Sequence, residues 1–181
     1  MQVFPRLCEK RVDVHLLIKN KLSEPVKGRI NVSLGALSKT ALAELKEDNT
    51  TPVEFSFPVE PDAKTWDEFS PALTELRAEV KTRVNGMNLR DTQTLRFGLR
   101  EITRQGTRFL VNGRTTLMRG NLECCIFPQT GYPAMQTDEW LRMFRIMRAY
   151  GLNHVRFHSW CPPAAAFEAA DQLGLMLHIE T

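Results

Sequence analysis

The chain has 181 residues, 43% of them hydrophobic and 25% charged, an ordinary composition for one large globular domain or two small ones. The formal net charge is only +3 and no basic stripe is interleaved with aromatics, which argues against nucleic-acid binding. No apolar run approaches the length of a membrane span, and the opening MQVFPRLCEKRVDVHLL is broken by Pro, Arg, Glu and Lys where a secretory leader needs an apolar core.

Residues 1 to about 100 read as all-β. In 11–19, Val12, Val14, Leu16 and Ile18 alternate with more polar positions, the signature of a half-buried strand. Residues 28–34 repeat the pattern with Ile30, Val32 and Leu34, and a polar loop follows around 46–51. Residues 52–59 place Val53, Phe55 and Phe57 on one face. A further strand at 72–82 carries Leu73, Leu76, Ala78 and Val80, and 92–102 closes this half. Glu24-Pro25, Asn85-Gly86 and Asn112-Gly113 mark turns, the last joining two strands as a hairpin. Short strands at regular intervals predict a β-sandwich.

After Gly113 the pattern changes to βαβαβ. Residues 115–121 are a strand candidate. Thr137 is placed to cap a helix whose Trp140, Met143, Phe144 and Met147 form one apolar face, and Gly151 to end it. Pro162-Pro163 opens a second helix with Ala166, Phe167, Ala170 and Leu173 on its buried side, and Gly174 ends it. The three strands of such a unit are expected to lie parallel and adjacent. Cys8, Cys124, Cys125 and Cys161 form no CxxC pair, so neither a zinc site nor a thioredoxin-type motif is indicated, and the thiols read as unpaired packing groups.

The last stretch, GLNHVRFHSWCPPAAAFEAADQLGLMLHIET, carries the most chemistry. In 153–158, Val155 and Phe157 share one face while His154, Arg156 and His158 share the other; in 175–180, Leu175, Leu177 and Ile179 oppose Met176, His178 and Glu180. Buried parallel strands are normally apolar on both faces, so charges gathered near the strand ends suggest a face that opens into a site. His154 and His178 lie deeper in their strands and are expected to line a packed interior.

FGLREI (97–102), FLVNGRTTLMRGN (109–121), YGLNHVRFHSWCPP (150–163) and FEAADQLGLMLHIE (167–180) together resemble glycoside hydrolase family 2, which includes β-galactosidases, β-glucuronidases and β-mannosidases. TWDEFSPAL (65–73) resembles a strand of that family's sandwich. The resemblance implies an all-β immunoglobulin-like sandwich (1–100) followed by a partial (β/α)8 barrel, its βαβαβ portion (101–181), with the jelly roll that usually precedes them absent. In the family, the acid/base and nucleophile glutamates come from barrel strands 4 and 7. The resemblance therefore implies a fragment of a retaining glycoside hydrolase, inactive by itself, whose catalytic carboxylates lie beyond Thr181. The alternative is a non-catalytic carbohydrate-binding or spacer sandwich. A self-contained βαβ binding domain is a third reading, but it lacks the glycine-rich phosphate loop.

Retaining glycosidases work with two carboxylates about 5 Å apart. Since neither is expected in this chain, the candidate residues are peripheral and bind substrate. Arg156 is placed to orient a carboxylate, His158 to meet sugar hydroxyls, Trp160 to stack on a pyranose and Glu180 to meet substrate or a cation. Asn121 and Glu123 belong to the same rim. Two departures from the family stand out. The stretch Arg156-Phe-His-Ser-Trp-Cys-Pro162 is one residue longer than "R.SHYP", and ECCIFPQTGYP (123–133) replaces the "NRHE" of familiar β-galactosidases. No cofactor is called for, although the resemblance leaves room for a mono- or divalent cation. The implied partner is a carbohydrate, with no nucleic acid and no membrane. Self-association through exposed strand edges is expected of a three-stranded parallel piece. The compartment of the parent protein is left open, with a periplasmic or secreted address slightly favoured over a cytoplasmic one.

Overall fold

The computed structural model describes residues 1–180. The chain divides into two compact units: Met1–Ala63 with Thr74–Leu99, and Lys64–Leu73 with the chain from Arg100 onward.

The first unit is a β-sandwich. Strands β1 (Gln2–Arg6), β2 (Arg11–Lys19), β3 (Val26–Leu34), β4 (Leu37–Leu45), β5 (Thr50–Pro58), β6 (Leu73–Val84) and β7 (Met87–Gly98) form two sheets, ordered β1-β2-β5 and β4-β3-β6-β7. Their alternating apolar residues meet in one core: Val12, Val14, Phe55 and Phe57 from the first sheet, Ile30, Val32, Leu76 and Ala78 from the second. Asn85 and Gly86 both adopt positive φ, as a tight type I′ turn between β6 and β7 requires. Two strands lie where no strand was expected. β1 is partly hidden by Pro5, and β4 (LSKTALAEL) carries small residues in place of large β-branched ones. β7 also begins earlier than residue 92, with a mostly exposed opening.

The second unit begins with a small antiparallel sheet of β8 (Ile102–Gln105), β9 (Arg108–Val111) and β10 (Arg114–Thr116). Asn112 and Gly113 again adopt positive φ, and Val111 pairs with Arg114 across this hairpin. Then come β11 (Gly120–Glu123), α1 (Thr137–Ala149), β12 (His154–Phe157), α2 (Ala164–Leu173) and β13 (Met176–Ile179), with a parallel sheet ordered β11-β12-β13. The expected strand 115–121 is thus split between two sheets. Both helices cover the same sheet face: Trp140, Phe144, Ala166, Ala169 and Ala170 pack with Val155, Phe157 and Leu175.

Several local expectations need correction. Thr137 is the first helical residue instead of the cap; Gln136 holds the extended N-cap position, and Thr137 Oγ1 donates to Glu168 Oε2 on α2 at 3.0 Å. Phe167 is exposed, and Ala165 and Ala169 take its place on the buried side of α2, where the helix approaches its neighbours through small residues. Cys124, Cys125 and Cys161 are exposed and do not pack, because the loops that carry them lie outside the sheet and helices.

Residues 64–73, which include the stretch that resembles a sandwich strand, pack with the second unit instead. Trp66 is fully buried there against Val111 and Met176. Its indole N–H donates to Asp171 O at 2.7 Å, and Arg100 lies over its ring at 4.4 Å while pairing with Asp171 at 3.0 Å. Asn112 Nδ2 donates to Trp66 O at 3.0 Å. A large aromatic with a satisfied N–H is buried wherever both its ring and its donor find partners. No helix among the described residues is long and apolar enough to cross a membrane.

Candidate functional site

The parallel sheet of the second unit has one face under the helices and one away from them. The ladder fixes which residues share the second face. Leu122 pairs with Arg156, and Arg156 with His178, so these three form one row across it. Near the start of the strands this face is closed by Met176, packed with Trp66 and Val111. His154, in register with Met176, also lies there, and the remaining polar side chains gather toward the strand ends.

Glu180 follows β13 and extends the ladder, its N–H donating to Phe157 O at 3.1 Å. Its Oε1 accepts from Arg156 Nη2 at 2.7 Å, and His158 Nε2 stands 3.9 Å from Oε2. Oε2 is shielded from solvent and closes no hydrogen bond among the described residues. The Arg156 hydrogen bond is the main force holding the Glu180 carboxyl below its usual range. Partial burial opposes it, while the charges of Arg156 and His158 and the Ser159 N–H reinforce it. Half of the His158 side chain is exposed, and its Nδ1 lies 3.1 Å from Ser159 Oγ. The His158 N–H donates to Glu123 O at 2.8 Å and fastens the loop after β12 to the end of β11.

Deeper in the sheet, His154 and His178 face each other with ring centroids 6.0 Å apart. His154 is half-buried, and burial first, then the charge of His178, pushes its imidazole below the ordinary value. His178, expected in a packed interior, is exposed; the row it shares with Leu122 and Arg156 is uncovered. Gly120 leaves the space that His154 fills: a Cβ there would stand 2.6 Å from both the Nδ1 and the backbone oxygen of His154.

Of the six residues singled out from the sequence, the fold brings Arg156, His158 and Glu180 together. Asn121 and Glu123 pair in register with Val155 and Phe157 and so share the opposite, helix-side face. Asn121 is exposed there, and the Glu123 carboxylate accepts the Cys125 N–H at 3.0 Å. Trp160 is half-buried, edge-on to Phe157 at 5.2 Å and Phe127 at 6.0 Å, with its indole N–H 3.4 Å from Glu123 O. Among the described residues no three His, Cys, Asp or Glu side chains converge as a metal site. Glu180, the residue expected to meet a cation, already faces Arg156 and His158.

The sequence reading missed the group that props this sheet from below. Glu68 is buried and pairs with Arg119 at 2.5 Å and Arg148 at 3.6 Å, and its backbone oxygen also accepts from Arg148. Asn153, fully buried, donates to Glu68 Oε1 at 2.9 Å and Leu117 O at 3.0 Å and accepts the Arg119 N–H at 2.8 Å. The one available signal was an asparagine placed directly before a buried strand, where its side chain must find backbone partners.

No protein-family model matches the chain, and no curated protein matches it. Solved structures do match. A GH2 β-galacturonidase from Eisenbergiella tayi superposes with a TM-score of 0.80 at 22% identity over 99% of this chain and 31% of its own. A β-glucuronidase from Parabacteroides merdae gives 0.71 at 18% identity, covering 97% of this chain and 22% of its own. A β-glucuronidase from Bacteroides uniformis gives 0.73 at 20% identity, covering 92% of this chain and 20% of its own. The chain thus spans less than a third of the length of these structures. Over almost its whole length it is similar in fold to enzymes of glycoside hydrolase family 2, the group its second-half motifs resemble.

Proposed function

We propose that the chain is a portion of a retaining family 2 glycoside hydrolase that cleaves β-glycosides. In this reading the sandwich is the immunoglobulin-like domain, and the parallel sheet with its two helices is the opening of a (β/α)8 barrel. The observation that carries it is the Arg156–Glu180–His158 group at the ends of parallel strands, where barrel enzymes hold their sites. Arg156 commits one N–H to Glu180, which fixes the guanidinium and leaves further donors for a second carboxylate. That carboxylate belongs either to a catalytic glutamate from a later strand or to the substrate. The likeness in fold to a β-galacturonidase and two β-glucuronidases favours a uronide among β-glycosides. His158, half exposed beside Glu180, supplies a hydrogen bond to a sugar hydroxyl, and Trp160 forms the wall of the loop.

The test is a panel of aryl β-glucuronide, β-galacturonide, β-galactoside and β-mannoside substrates. It compares this chain with a polypeptide that continues through the later strands. Activity in the longer polypeptide and none in this chain is expected. Arg156→Gln there should lower kcat/KM about 10- to 100-fold, the loss of one charge-assisted hydrogen bond worth roughly 1.5–3 kcal/mol. Turnover by the 181-residue chain would place the catalytic pair within it and overturn the domain reading. Inactivity of the longer polypeptide on every substrate would favour the alternative, a non-catalytic carbohydrate-binding or spacer module.

A further inference from the structure

The outer face of the four-stranded sheet carries a charge pattern that folding of the sandwich does not explain. On β3, Val26, Ile30 and Val32 point into the core, so Lys27 and Arg29 point outward. The ladder sets Arg29 directly opposite Lys81 on β6, with Leu42 of β4 on its other side. Lys27 and Arg83 continue the same two strands in the same phase. These residues and Arg90 of β7 line a shallow groove of about 700 Å³, and the carboxylates beside it are Glu79 of β6 and Glu44 of β4, the latter in register opposite Lys27.

The cations of this groove are only partly neutralised, five of them facing the two carboxylates Glu44 and Glu79. Lys81 and Arg90 both pair with the single carboxylate of Glu79. The side chains of Lys27, Arg29 and Arg83 enter no ion pair among the described residues. Like charges directly opposite across a sheet are destabilising, so the Arg29–Lys81 pair is an unfavourable contact that a bound anion relieves. Two exposed apolar side chains, Leu42 and Leu89, lie among these charges. The groove contains no aromatic residue, and proteins that bind single-stranded nucleic acid rely on aromatic stacking platforms. Spaced cations with apolar side chains between them match a chain of sugar rings, whose apolar C–H faces alternate with anionic substituents.

We propose that this groove is an accessory binding site for an acidic polysaccharide whose rings carry carboxylates. The choice of a carboxylated sugar over another polyanion rests on the uronide reading above; the anion-binding character of the groove does not.

The test is titration calorimetry of the 181-residue chain with polygalacturonate at about 20 mM salt and again at about 500 mM, with neutral dextran as control. Polygalacturonate should bind at low salt, lose about tenfold or more in affinity at high salt, and lose a similar factor in the Arg29→Glu/Arg83→Glu double variant. Arg29→Gln/Arg83→Gln, which introduces no new charge, should show an intermediate loss with an unchanged thermal melt. Absence of polygalacturonate binding at low salt, or equal binding by the charge-reversed variant, overturns the site. Tighter binding of a single-stranded oligonucleotide than of polygalacturonate overturns the proposed occupant. If a longer, correctly folded enzyme cleaves no β-glycoside while polygalacturonate binding still depends on Arg29 and Arg83, the groove stands and the hydrolase reading falls.

Discussion

Glu68→Ala removes the carboxylate that joins residues 64–73 to the base of the parallel sheet. Breaking a buried ion pair from one side costs about 3–5 kcal/mol when the remaining charge is trapped. Here the surviving guanidiniums of Arg119 and Arg148 keep 40% and 26% of their side-chain exposure, so both can turn to water. That places the electrostatic loss nearer about 2 kcal/mol. Asn153, fully buried, loses one of its two Nδ2 partners, which adds roughly 1 kcal/mol. The sum, about 3 kcal/mol, is a large part of the stability of a small domain. All three tryptophans, Trp66, Trp140 and Trp160, lie in the second unit, so their fluorescence follows its unfolding selectively. With a urea slope of about 1–1.5 kcal/mol/M for a unit of this size, the fluorescence midpoint should fall by about 2–3 M. Glu68→Gln, which keeps an acceptor for Asn153, should fall by less. A shift below about 0.5 M for Glu68→Ala would refute the view that residues 64–73 are an integral part of this unit.

Gly120→Ala should destabilise the second unit by about 1–3 kcal/mol in the same fluorescence assay, because the new Cβ meets the His154 backbone oxygen, which cannot move aside. His154 titrates below its ordinary 6.5, so its neutral form is favoured on folding. That stabilisation is present above 6.5 and is lost as the pH falls through the depressed value, and His154→Gln should flatten this slope of stability against pH. The Glu180 carboxyl, held below 4.5, contributes in the same sense at lower pH; carbon-detected NMR should show its titration moving back up in Arg156→Gln. β11 and β13 are the two edges of the parallel sheet among the described residues, and Leu122 is exposed on its open face. Concentration-dependent self-association is therefore expected by sedimentation, and a monodisperse monomer with slowly exchanging amides in β11 and β13 would contradict it.

Residue types and their alternation were enough to read most strands of the sandwich. Val12, Val14 and Leu16, or Phe55 and Phe57, have one physical destination, and Asn-Gly pairs supply the positive φ that hairpin turns require. The same holds for the two helices, the parallel order of the last three strands and the polar face of Arg156, His178 and Glu180, since side-chain phase along a strand is local. What pairing decides was not legible. Asn121 and Leu122 differ by one residue, and only the ladder to β12 places Leu122 beside Arg156 and sends Asn121 to the other face. The place of residues 64–73 likewise depends on partners far along the chain, Asp171 for the Trp66 indole and Arg119, Arg148 and Asn153 for Glu68. Sequence by itself determined the phase of the apolar residues along most strands and along α1, because that phase is local, while Phe167 shows that it did not settle every buried position. The tertiary structure alone decided which partners satisfy the buried Trp66 and Glu68, because that satisfaction comes from groups the chain brings together only when it folds.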